Sequence, residues 1–269
     1  MAKNKESNVI VAWHGKVSER NKFRTRMKGH IKRGELTPGI GWESNGETQG
    51  CFVGCMVHAY SHEKLSREIG APLEICHLFD SVFEGLSRTD KDEGAQFTLD
   101  TIAAIRPGAD LSLVWPRVGL WLMTDPESPN VAGEKPDTNV AKAVAGVGAL
   151  YREWVDTGKR PAPGRWDAAQ ASAARAESAA WAASAARAAR AASAAWAARA
   201  AWAAWAASAE RAAWAAWAAS AASAERAASA ERAAWAAWAA SAESAAFWRT
   251  LRDALLGFLR AAPVTQKAP

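Results

Sequence analysis

The stretch Trp196-Ala-Ala-Arg-Ala-Ala-Trp-Ala-Ala-Trp-Ala-Ala-Ser208 decides how this chain is built. Every third residue is something other than alanine, and the same phase runs unbroken from Ser172 to Phe247 as 26 consecutive triplets. The residue before each variable position is alanine, or glutamate at 177, 210, 225, 231 and 243. Of the 80 residues from Ala168 to Phe247, 48 are alanine, and 8 of the chain's 15 tryptophans lie among them. No glycine or proline occurs between Arg165 and Leu256. Alanine is the best helix former and glycine and proline are the usual breakers, so the array reads as one long helix.

A period of three admits two kinds of helix. In a 3₁₀-helix all variable residues line one face. In an α-helix each triplet lags by about 60°, so the variable row winds round the axis every 18 residues or about that. The residue types discriminate between the two. At about 100° per residue, seven of the eight tryptophans fall within about 60° of Trp181, with Trp205 the exception. Five of the seven arginines (Arg175, Arg187, Arg190, Arg211, Arg226) fall in the opposite half. The α-helix is therefore favoured, with a tryptophan face and an Arg/Ser face; a 3₁₀ or mixed helix stands as the alternative. A straight α-helix from Arg165 to Leu256 would measure about 140 Å, and a 3₁₀-helix about 180 Å.

Trp181, Trp196, Trp202, Trp205, Trp214, Trp217, Trp235 and Trp238 would leave a large apolar stripe in water. Self-association, folding back as a hairpin, or docking in a partner's groove would cover it. No ordinary heptad is present. A biased repeat with no role beyond helicity is the plainer reading of the array, and base stacking or a membrane interface a further one.

Before the array lies a head with ordinary composition. Phe23, Met27 and Ile31 recur at four-residue spacing in a basic amphipathic helix. Residues 37–50 are turn-rich and admit one short hairpin. Cys51 to Ile69 reads as one helix, Leu73 to Leu86 as the next, and Phe97 to Ile105 as another. Leu111 to Met123, interrupted by Pro116, is apolar nearly all round and reads as a central helix or a buried strand. Asn139 to Val155 is amphipathic, and Thr157–Gly164 reads as a linker. The expected class is mainly α, a compact helical head followed by a long alanine/tryptophan-rich helix. Its parts are a basic arm or helix (1–36), a helical head (37–157), a linker (158–166), the rod (167–247) and an amphipathic C-terminal segment (248–269).

The net charge of +5 is an average over opposed segments. Residues 1–33 carry ten Lys/Arg against two Asp/Glu, whereas residues 34–167 carry twelve against twenty. Arg20, Lys22, Arg24, Arg26, Lys28, Lys32 and Arg33 are thus candidate nucleic-acid contacts, or an arm that folds onto the acidic head. No run of 18 uninterrupted apolar residues exists, so a membrane span is not expected. Three cysteines and a polar N-terminus without an apolar core segment point to reduced thiols in a cytoplasmic setting.

One chemical constellation stands out. On a single helix Cys51, Cys55, His58 and His62 fall on one stripe, and Cys76-His77 offers a second element. Thiolate and imidazole are zinc's usual ligands. Cys51 at a helix N-terminus with His58 as base would also suit a reactive thiol, His77 being the other base available. The same residues suit tight packing, because Gly50, Gly54 and small cysteines let helices approach closely. No phosphate loop, dinucleotide fingerprint, nucleophile elbow or paired-carboxylate motif occurs.

The head resembles a family of uncharacterised bacterial and phage proteins. The residues that carry the resemblance are Gly50-Cys-Phe-Val-Gly-Cys-Met-Val-His58, Phe83-Glu-Gly-Leu86, and Asp110-Leu-Ser-Leu-Val-Trp-Pro116 running on to Leu122-Met-Thr-Asp125. Relatives of this type are similar in carrying an alanine-rich triplet tail, often punctuated by Asp or Tyr. The resemblance spans roughly residues 10–160 and implies a shared head fold and a bacterial or phage origin. It brings no activity or ligand. The function expected is that of a non-enzymatic interaction protein, a homo-oligomer or helix–helix partner working through its tryptophan face. Nucleic-acid binding by the arm, and thiol- or zinc-dependent activity in the head, are the alternatives.

Overall fold

The computed structural model describes residues 11–44, 48–126, 128, 131, 138–181 and 242–265. Among them the chain is mainly helical. A 3₁₀ turn (Ala12–Gly15) leads into α1 (Val17–Arg33), then a two-residue hairpin of β1 (Trp42–Glu43) and β2 (Gln49–Gly50). There follow α2 (Phe52–Val57), α3 (His62–Ile69), α4 (Leu73–Ser87), α5 (Lys91–Ala104), α6 (Val114–Thr124), α7 (Asn139–Thr157), α8 (Pro163–Trp181) and α9 (Ala242–Ala261). None of these helices is long and apolar enough to cross a membrane. Contacts divide the chain into two compact units, Met1–Trp115 with Arg252–Pro269, and Pro116–Leu251.

In the first unit, Phe23, Met27 and His30 form the buried stripe of α1, and Gly34 ends that helix in the left-handed conformation at φ 71°. The apolar row expected on α4 is buried throughout, from Ile75 to Leu86. Phe52 lies between Phe79 and Phe97, with ring centroids 5.6 and 6.4 Å away. The C-terminal segment closes this unit. Leu255 and Leu259 are fully buried, the Asp110 amide donates to Pro263 O (2.8 Å), and Arg106 donates to Ala262 O.

The second unit is built on close helix approach. A Cβ on Gly119 would lie 2.5 Å from the Tyr151 ring, and one on Gly148 would lie 3.2 Å from Met123 Cβ. The segment read as a linker is a tight turn. Gly158, at φ 67°, caps α7, and Pro163 opens α8. Trp166 is buried edge-on against Tyr151, centroids 4.9 Å apart. The first triplets of the array belong to α8, where Ala173 and Ala176 are buried and Arg175 is exposed.

Two expectations are corrected and one alternative is decided. Cys51 to Ile69 is two helices, because His58 turns left-handed (φ 52°, ψ 42°) and ends α2, while Ser61 Oγ accepts from the Lys64 amide (3.1 Å) and starts α3. The short polar side chain at Ser61 is an N-cap signal, and it overrides the apolar spacing on either side. Residues 111–123 are helical from Val114, not a strand. Pro116 sits in the first turn of α6, where an amide has no partner to lose. Helix α5 begins at Lys91, earlier than its apolar pattern, since Asp90 Oδ1 accepts the Asp92 amide at 2.8 Å.

Of the array tryptophans, Trp196, Trp202, Trp205, Trp214, Trp217, Trp235 and Trp238 lie outside the described residues, as does the α-versus-3₁₀ question over 182–241.

Candidate functional site

The break at His58 disperses the constellation read from the sequence. Cys51 and Cys55 stay in the buried N-terminal part of α2. Cys55 Sγ donates to Gly50 O (3.3 Å), and burial pushes its thiol up to about 12. Cys76 is buried on α4, and burial raises its thiol too. Neither is a reactive thiolate in this setting.

His58 instead faces α1. Its Nε2 is 3.1 Å from His30 Nε2, and its ring stacks on Trp42 with centroids 4.9 Å apart. His30 Nδ1 lies 2.6 Å from Glu35 Oε2, and Arg33 grips Glu35 through Nε (2.7 Å) and Nη2 (2.8 Å). The Arg33 hydrogen bonds, and then that of His30, hold the Glu35 carboxyl down at about 2 against the opposing effect of burial. His62 and His77 meet in a separate place, stacked with centroids 3.9 Å apart.

A different donor set converges where α2 meets α4. Cys51 Sγ and one carboxylate oxygen each from Asp80 and Glu84 lie within 4.8 Å of one another. Each is held from behind. Cys51 Sγ contacts Gly41 O (3.6 Å), Asp80 Oδ2 is 3.2 Å from His62 Nε2, and Glu84 accepts the Gly39 amide (2.8 and 2.9 Å). Asp80 Oδ1 is buried without a hydrogen bond of ordinary geometry. Among the described residues no Lys or Arg forms an ion pair with either carboxylate. Burial, and then the Asp80 charge, lift the Cys51 thiol above its ordinary range. Burial also raises Glu84, against the lowering effect of the Gly39 amide. These groups therefore sit in a negative, partly dehydrated pocket suited to a cation.

The glycines explain how the loop 37–41 reaches this place. Gly54 packs so tightly that a Cβ there would lie 1.9 Å from Gly41 O, and a Cβ on Gly50 would lie 2.8 Å from the Trp42 ring. From the sequence, Cys76-His77 is the second element expected. Asp80 and Glu84 lie on the same helix, α4, and were not among the expected ligands; their four-residue spacing on one helix face was the available signal.

The cationic residues of α1 separate into two groups. Arg26 donates to Met56 O and Arg33 is bound to Glu35, so both serve the fold. Lys22 is exposed and 3.5 Å from Glu19. Arg24, Lys28 and Lys32 are exposed and Arg20 half-buried, one helical ridge at four-residue spacing, with no carboxylate in ion-pair range among the described residues.

Comparison with known family models, with curated proteins and with solved structures finds no match to this chain.

Proposed function

We propose that this is a non-enzymatic interaction protein that self-associates through its alanine/tryptophan array. The observation that carries the reading is the way the array starts. Its first triplets lie in an α-helix that packs by alanine, at Ala173 and Ala176, and exposes Arg175 between them. Alanine allows close helix approach, so the same device repeated along the array makes a helix-packing surface, with tryptophan supplying large apolar area.

The test is light scattering on the full chain and on a variant with all eight array tryptophans changed to alanine, which keeps helix propensity. The full chain is expected as an oligomer and the variant as a monomer. Equal masses for the two would refute tryptophan-driven assembly.

The ridge Arg20–Arg24–Lys28–Lys32 favours a second reading, binding of a nucleic-acid backbone by α1. It predicts an affinity for duplex DNA that falls steeply with salt. Changing Arg24, Lys28 and Lys32 to glutamine should flatten the logarithmic salt slope by about one unit per cation removed. Absence of binding at low salt would end it.

A further inference from the structure

We propose that Cys51, Asp80 and Glu84 form a zinc-binding site in the first unit, independent of the array. Three features of the geometry point to a metal rather than to packing. The first is donor number and spacing. With every donor pair within 4.8 Å, a point exists that lies no more than about 2.8 Å from each donor. Zinc bonds are about 2.3 Å to sulfur and about 2.1 Å to oxygen, so each donor closes by well under about 1 Å.

The second feature is the unsatisfied atom. Asp80 is 8% exposed, and no hydrogen bond of ordinary geometry reaches its buried Oδ1, although the Cys51 thiol and the Tyr60 hydroxyl lie close enough to interact with the carboxylate. A buried carboxylate oxygen without a partner costs free energy, and an ion at the cluster gives it one. The third feature is the support behind the two carboxylates. His62 on Asp80 Oδ2 and the Gly39 amide on Glu84 fix the two carboxylates in the way outer-shell partners fix metal ligands, while the proton that Cys51 Sγ donates to Gly41 O is the one that zinc displaces.

The donor chemistry selects the ion. Magnesium and calcium take oxygen ligands, whereas a thiolate with two carboxylates suits zinc. Three protein ligands leave a fourth position for water. Glu84 is partly exposed, which gives the ion a route in. Cys51 must lose its proton as zinc enters, so binding releases a proton and weakens as the pH falls.

The experiment uses the full chain, stripped with a chelator and titrated with zinc, and separately with cobalt(II) as a spectroscopic probe. One equivalent of cobalt is expected to bind with a near-ultraviolet thiolate charge-transfer band. That band should vanish in Cys51→Ser and persist in Cys55→Ser and Cys76→Ser. Because Cys51→Ser falls in the core, Glu84→Gln provides a variant that retains an acceptor for the Gly39 amide. Its metal-free stability should be unchanged, and its zinc affinity should drop at least about tenfold. His62→Gln, which reaches the cluster through Asp80 and is not itself a ligand, should weaken zinc by about 10–100-fold while the cobalt band stays. A cobalt complex without the thiolate band, a band that survives Cys51→Ser, or unchanged zinc affinity in Glu84→Gln would each overturn the assignment.

Discussion

Replacing Trp13 by alanine is expected to lower the stability of the first unit by about 4 kcal/mol. Trp13 is fully buried in a 3₁₀ turn ahead of α1, its ring 5.5 Å from Phe23. Its indole Nε1 donates to Ile105 O at 2.9 Å, beyond the end of α5. The backbone beside it is tied to the same loop, with Ala12 N to Ala109 O at 2.9 Å and Gly108 N to Ala12 O at 2.8 Å. The indole therefore joins the start of the chain to the end of α5. Truncation opens a cavity and leaves a buried carbonyl without its donor. Trp13→Phe separates the two effects. It keeps most of the ring volume and should cost about 1–3 kcal/mol, chiefly for the Ile105 carbonyl. Trp13 also holds a left-handed backbone at φ 54°, a conformation sustained only where the surroundings over-determine it. Hydrogen exchange read on peptides from α1 and α5 measures the loss directly. A change below about 1 kcal/mol in the alanine variant would show that the turn is not anchored by this side chain.

Gly54→Ala is expected to cost about 3 kcal/mol or more, although alanine is the better helix former. Helix α2 crosses the loop at Gly41 with no room for a side chain, and the atom met is backbone, which has no rotamer to yield. Moving that loop disturbs the Cys51 amide, which donates to Ile40 O at 2.5 Å, and displaces the Gly41 carbonyl from Cys51 Sγ. Exchange on α2 and α4 peptides should accelerate, and the thermal midpoint of this unit should fall by roughly 10 °C. Gly146→Ala is the internal comparison. That glycine is exposed in the middle of α7 with nothing within 4 Å of an added Cβ, so alanine there should stabilise by about 0.5–1 kcal/mol. If Gly54→Ala behaved like Gly146→Ala, the close approach would be disproved.

Trp13, Ser61 and Asp90 show where sequence reading succeeds and stops. Periodicity identifies α1, α4 and α7, because their apolar rows repeat along a face that the fold then buries. Trp13 has no such row around it. Its indole hydrogen bond reaches a residue 92 positions away, and spacing carries no trace of that. Ser61 and Asp90 are legible as caps, yet the first was overridden by an apolar pattern that continued past it, and the second lay ahead of the pattern that identified α5. The candidate metal cluster was half legible. Cys51 is a candidate from its residue type alone. Asp80 and Glu84 were hidden among apolar neighbours on α4, since a carboxylate's role depends on what faces it across the fold.

The central claim is that the array is an assembly surface, and sedimentation equilibrium of the unaltered full chain tests it most directly. The account predicts a mass at least twice the 28.7 kDa of one chain, rising with concentration toward a fixed multiple. A mass of 28.7 kDa that holds across the whole concentration range would contradict it.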